Sequence, residues 1–199
     1  MRLLTLFGVL AGVLAPARAG DDAAHFPLAD GALWVYKTRE GRANTKVGEP
    51  GPLKEGPKRT IQCAEGKESS SLTTFDGKSS LAVRVIVTRD GVYQGAVDAA
   101  NLILKFPLKK FDDWGPGDRK NGLPRYANHG QREIEISGTK YLCWKITEQR
   151  SLPKGSRSTI HWYAPGIGLV WEETTEEIEN SVTTRIYEIE TFDKLPGKK

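Results

Sequence analysis

Beyond residue 20 the chain nowhere holds an apolar period of 3.6 residues over three capped turns. Short runs of alternating apolar and polar residues recur instead, and turn residues close each one. That pattern confines the chain to antiparallel β architecture. The clearest run is Leu81 to Thr88. Leu81, Val83, Val85 and Val87 share one face there, and Asp90-Gly91 follows as a hairpin turn. The same reading marks strands at Leu33–Arg39, Arg59–Cys63, Ser69–Phe75, Val92–Val97, Arg132–Ser137, Tyr141–Gln149, Thr159–Tyr163, Leu169–Thr174 and Val182–Phe192. Ala99–Phe106 is apolar enough for a buried strand or a short helix. The sum is an all-β domain: a strongly curved antiparallel sheet forming a half-open barrel, with a sandwich as the alternative. Gly/Pro-rich long loops are expected near 41–58 and 109–125.

The first nineteen residues have a different logic. Arg2 precedes an apolar run from Leu3 to Leu14, and Ala17-Arg18-Ala19 has the small-x-small form of a cleavage site. This is the layout of a secretory signal peptide. It predicts a mature chain from Gly20, a single domain over 20–199, and a secreted or periplasmic location in a bacterial envelope. The apolar run is too short to span a bilayer, and no later stretch approaches that length. A soluble monomer without a transmembrane segment is the expectation.

Arg2 and Arg18 lie in the leader, which leaves 27 basic against 25 acidic residues in the mature chain. The charge is unevenly placed. Lys37 to Arg59 carries seven basic and three acidic residues, and Glu172 to Glu190 carries seven glutamates and one arginine. Such patches are read as solvated faces or as surfaces that steer a partner. The basic stretch is too rich in Gly and Pro, and too mixed in sign, for a nucleic-acid interface.

Few constellations point to chemistry. His25, His129 and His161 are scattered and read as isolated surface or turn histidines. No pair of Cys or His has metal-ligand spacing, so no metal or other cofactor is expected. Asp112 and Asp113 beside Trp114 could serve a hydrolase or a calcium site, but they read more simply as turn residues. The glutamates at 172, 173, 176, 177 and 179 could bind calcium weakly, or they make a hairpin tip soluble. No catalytic residue is assigned.

Cys63 and Cys143 invite a disulfide in an oxidising compartment. In the Tyr141–Ile146 run, however, Cys143 points away from Leu142, Trp144 and Ile146, while Cys63 shares a face with Ile61. A bridge forms only if those two faces meet. The five tryptophans are the most distinctive part of the inventory. Such rings either fill a core or line a cavity in a half-open barrel.

Three stretches resemble a set found in uncharacterised secreted bacterial proteins. Phe26–Tyr36 resembles F-P-L-x-x-G-x-x-W-x-Y, Leu102–Trp114 resembles L-L-K-x-P-L-K-x-G-x-x-W, and Trp162–Glu173 resembles W-Y-A-P-G-V-G-L-V-K. Arg132–Ile146 resembles the strand–turn–strand that precedes the last motif. This chain departs in having Phe111 and Asp112 where the middle motif carries Gly, and Trp171 in place of Lys. The resemblance implies a lipoprotein-carrier-like half-barrel with an apolar concave side.

The leading expectation is a non-enzymatic secreted or envelope protein that binds an apolar ligand, such as a lipid, or a lipidated partner on the concave side. Its candidate lining is Trp34, Tyr36, Trp144, Trp162 and Trp171. The alternative is a structural module that binds another envelope protein. A hydrolase using Asp112 and Asp113 is the remote third reading.

Overall fold

The computed structural model describes residues 22–44, 51–65, 70–76, 79–95, 101–116 and 122–193. The signal-peptide reading falls on residues outside this set. The strands in chain order are β1 (Leu33–Asn44), β2 (Lys54–Glu55), β3 (Arg59–Glu65), β4 (Ser70–Asp76), β5 (Ser79–Thr88), β6 (Gly91–Gln94) and β7 (Asn101–Lys105). There follow β8 (Asp113–Trp114), β9 (Arg125–Ile136), β10 (Thr139–Leu152), β11 (Gly155–Ala164), β12 (Gly168–Ile178) and β13 (Ser181–Asp193). Ala99–Phe106, left open between strand and helix, supplies β7. Both expected loops contain strand. In the first, β1 runs on to Asn44 and β2 pairs with β1; in the second lies β8.

One antiparallel sheet runs in the order β7-β6-β5-β4-β3-β1-β13-β12-β11-β10-β9-β8, with β2 a side branch on β1. It curls into a barrel that is nearly closed, with one unsealed seam between its end strands β7 and β8. Most neighbours are consecutive hairpins. The exceptions are β1 with β3, which passes over the side branch β2, and β1 with β13, paired from Leu33↔Asp193 to Asn44↔Ser181, which ties the two ends of the domain together in mid-sheet. At the seam a side chain takes the place of a backbone ladder. The indole Nε1–H of Trp114 on β8 donates to the carbonyl of Leu102 on β7 at 2.9 Å, and the ring stacks on Tyr126.

One end of the barrel is closed by the N-terminal segment and the β11–β12 turn. The Gly166 amide donates to the Ala24 carbonyl at 2.7 Å, and the Trp34 indole to the Ile167 carbonyl at 2.6 Å. Gly166 and Gly168 both take positive φ, at 78° and 92°, as a tight turn after Pro165 demands. A Cβ on Gly168 would come within 3.2 Å of Pro27 Cδ. Gly168→Val is therefore expected to destabilise the fold by at least ~1 kcal/mol. An unchanged urea midpoint would show that this turn is not under the stated constraint.

Registers place each side chain on one face. Between Trp144↔Tyr163 and Leu152↔Gly155, β10 and β11 pair without a break. Tyr163, His161 and Glu148 face the interior, so Trp144 and Ile146 do too, and Cys143, Lys145 and Trp162 stand on the outer face. Trp171 pairs with Trp162 and joins that outer face. Cys143 is nonetheless buried, because the β9–β10 hairpin folds back over the outside of the sheet. Its Ile136 packs into one cluster with Cys143, Ala164, Trp162 and Trp171, and Ser137 Oγ donates to Glu188 at 2.7 Å. Cys63 pairs with Leu72, a lining residue of the interior. The two thiols stand on opposite faces, and no disulfide joins them. Burial pushes the Cys143 thiol up to about 12, so it stays protonated.

Candidate functional site: an interior with one apolar and one ionised wall

Alternation brings residues from ten strands into a cavity of about 140 Å³ inside the barrel. Ile61 on β3, Leu72 on β4, Val83 and Val85 on β5 and Ile103 on β7 make an apolar wall. The β10–β12 side of the interior is different. Directly paired positions run Ile146↔His161↔Glu172↔Tyr187 across β10, β11, β12 and β13. A second line runs Tyr126↔Glu148↔Thr159↔Thr174↔Arg185. The register with β12 skips Val170. This bulge lets both Leu169 and Glu172 reach the cavity although their numbers differ in parity.

These positions set five ionisable groups in one line of alternating sign. Arg150 Nη2 lies 3.4 Å from Glu148 Oε1, and Glu148 Oε2 lies 3.6 Å from His161 Nε2. His161 Nδ1 lies 3.4 Å from Glu172 Oε2, and Glu172 Oε1 lies 3.5 Å from Arg59 Nη1. The side chains of Glu148, His161 and Glu172 are only 15%, 13% and 16% exposed. Arg59 is also held 4.3 Å above the Tyr187 ring. His161 stacks on Tyr163, and Tyr36 Oη–H donates to the Leu169 carbonyl at 2.9 Å.

Burial alone would discharge His161, but the flanking Glu148 and Glu172 carboxylates outweigh it and lift its pKa to about 9. Burial would likewise protonate Glu172, yet His161 and Arg59 hold it down at about 2. Glu148 is also held below its ordinary value, again against burial, by His161 and Arg150. At neutral pH the line is therefore three cations and two anions, a surplus of one positive charge. Two of its buried donors lack a well-aligned hydrogen bond: His161 Nδ1, which faces Glu172 Oε2 at 3.4 Å, and Arg150 Nε. Burial raises the phenols of Tyr36, Tyr126 and Tyr163, which stay neutral.

Of the five expected lining residues, Trp34 and Tyr36 border the cavity. Trp144 shares the cavity-side face but packs with Ile146 and Tyr163 in the core beside it. Trp162 and Trp171 are on the outer face, beneath Lys145 at 5.5 Å and Arg39 at 5.8 Å. Of the histidines expected to be isolated surface or turn residues, His161 is corrected outright, and His25 lies in a turn but is buried. His161 is at the centre of the charged line, and His25 is buried in the segment that closes the barrel end. His129 bonds Thr147 Oγ1 at 2.9 Å.

The carboxylate pairs read from sequence are not brought together. Asp112 pairs with Lys105 at 3.0 Å, and Asp113 with Arg125. Among the glutamates, Glu172 enters the cavity, Glu176 pairs with Arg157 and Glu179 with Lys154, both at 2.7 Å. Among the described residues no group of three or more His, Cys, Asp or Glu is placed to hold a metal ion, and no helix is long and apolar enough to cross a membrane.

No protein-family model and no curated protein matches the chain. Among solved structures it is similar to a candidate exported protein with a YmcC-like fold from Bacteroides fragilis, at 12% identity and TM-score 0.49 over 85% of this chain and 98% of that one. It is similar to a candidate lipoprotein from Parabacteroides distasonis, at 14% identity and TM-score 0.41 over 85% and 98%. LprF from Mycobacterium bovis matches at 12% identity and TM-score 0.30 over 90% and 92%.

Proposed function

We propose that this chain is an exported, non-enzymatic binding protein that holds one small amphiphile with an anionic head inside the barrel. The carrying observation is the cavity's division into two walls. Ile61, Leu72, Val83, Val85 and Ile103 offer an apolar bed, and Arg59, Glu148, His161 and Glu172 offer a charged wall in which His161 Nδ1 makes no well-aligned hydrogen bond. A carboxylate head gives the Arg59 guanidinium and His161 Nδ1 a further acceptor while its tail lies on the apolar wall. The acids and bases in the line are each engaged by an opposite charge, which supports binding rather than proton transfer. The leader-like first nineteen residues support the exported location.

The size of the cavity bears on the body of the ligand. About 140 Å³ is well under the roughly 300–1,000 Å³ of pockets for drug-sized ligands. A short alkyl chain suits it better than a long acyl chain. Calorimetric titration with hexanoate, hexanol and hexylamine separates the elements of the proposal. Hexanoate is expected to bind saturably. Hexanol should bind about tenfold to a hundredfold more weakly, from loss of charge-assisted hydrogen bonds, and hexylamine more weakly still. No saturable heat from any of the three would overturn the binding reading. Equal affinities would keep it but remove the anionic head.

A further inference from the structure

The link between β7 and β8 carries a feature that the cavity does not use. Phe111 is 80% exposed, and its φ is +67°. An aromatic residue in the left-handed region is strained, and this ring recovers little of that strain by burial. The surrounding hydrogen bonds hold the backbone there. The Phe111 amide donates to the Asn128 carbonyl at 2.7 Å, the Asn128 amide to the Asp112 carbonyl at 2.8 Å, and the Asp112 amide to the Lys109 carbonyl at 3.2 Å.

The charges beside the ring are arranged as well. Lys110 crosses the bare backbone of Gly130, where a Cβ would come within 2.8 Å of its Cγ, and it sets its Nζ 4.7 Å from the Phe111 ring. Asp112 is neutralised by Lys105 and Asp113 by Arg125. Lys109 and Lys110 make no ion pair among the described residues, so the tip is positive. The loop is also tied to the point where the chain enters the fold, because the Leu108 amide donates to Asp22 Oδ2 at 2.9 Å.

We propose that Lys109, Lys110 and Phe111 form a rigid contact point for an anionic lipid bilayer. An aromatic ring suits the headgroup depth, and lysines reach the phosphates from the same position. A protein partner would want a groove or a broad patch. One protruding ring with an ammonium group 4.7 Å from it fits a surface of many identical anionic heads.

The test is flotation of the exported chain with phosphatidylglycerol/phosphatidylcholine vesicles and with pure phosphatidylcholine vesicles. The wild type is expected to partition onto the anionic vesicles, weakly and reversibly, with added salt reducing binding. Phe111→Gly should lower that partition about tenfold or more, and Lys109→Gln or Lys110→Gln about fivefold each. Relief of the left-handed strain should leave Phe111→Gly folded, with a thermal midpoint about 2 °C higher, so lost binding is not lost structure. No partition by the wild type, equal partition onto the two vesicle types, or undiminished partition by a folded Phe111→Gly protein would each overturn the proposal.

Discussion

Glu172→Ala is expected to lower the unfolding free energy by about 3–5 kcal/mol, a large part of the stability of a domain this size. The carboxylate lies between His161 at 3.4 Å and Arg59 at 3.5 Å, largely out of water. Removing it leaves two buried cations with no anion between them. The same line gives the wild type a definite pH profile. His161 has a folded pKa of about 9 against an ordinary 6.5. Its contribution is complete below about 6.5 and fades as pH rises through 9. Glu172 has a folded value of about 2 against 4.5. Its contribution is complete above about 4.5 and fades as pH falls through 2. Stability from this pair should therefore peak between about pH 4.5 and 6.5 and fall on either side by of order 2–3 kcal/mol. Urea midpoints measured across pH check both statements. A mutant within ~1 kcal/mol of wild type, or a wild-type profile flat from pH 6 to 9, would show that the line does not hold its charges as described.

Trp114→Ala should be comparably severe, about 3–5 kcal/mol, but its consequences should be local first. The ring is buried against Tyr126 at 5.6 Å, and its Nε1–H is the described bond across the seam. β8 has only two residues, and its backbone pairing is to β9, so among the described residues no other hydrogen bond runs from that strand to β7. Hydrogen exchange in β7 and around Asp113 should accelerate in the mutant before exchange in β10–β12 does. Trp114→Phe retains most of the packing, loses the hydrogen bond, and should cost about 1–3 kcal/mol. Unchanged protection at the seam in both mutants would mean that the indole does not close it.

The strands were legible because their two-residue period and their turns are local. Leu81–Thr88 with Asp90-Gly91, and the Pro165–Gly168 turn, needed nothing from the rest of the chain. The site was not legible, and His161 shows why. It stands between Ile160 and Trp162, and the usual reading of such a run puts the apolar neighbours inward and the polar residue in water. The β9–β10 hairpin reverses that reading by folding over the outer face. It covers Trp162 and Trp171 from outside, so the barrel can place charge inside. Glu172 failed for the same reason, read as one of several solvated glutamates. A cross-strand signal was present nonetheless. The turn at 165–167 brings His161 directly opposite Glu172, so opposite charges were due to meet there whichever face they occupied. What local pattern could not supply was the identity of the covered face, which depends on a hairpin more than twenty residues upstream. The thiols repeat the lesson in part: the sequence phase placed Cys143 opposite Trp144, and the structure keeps it there.

The distribution of the indoles has an optical consequence. Of the five, Trp34 alone borders the cavity; it is stacked on Phe192 and hydrogen-bonded to Ile167. Trp114 sits at the seam, and Trp162 and Trp171 sit beneath the folded-over hairpin with a cation above each. Emission from the intact protein is thus a mixture of separate reporters. A molecule entering the barrel perturbs Trp34 directly, and loosening of the outer hairpin perturbs the Trp162–Trp171 pair while the cavity signal stays constant. Single-tryptophan variants would resolve the emptying of the interior and the peeling of its outer cover as two distinct spectral events.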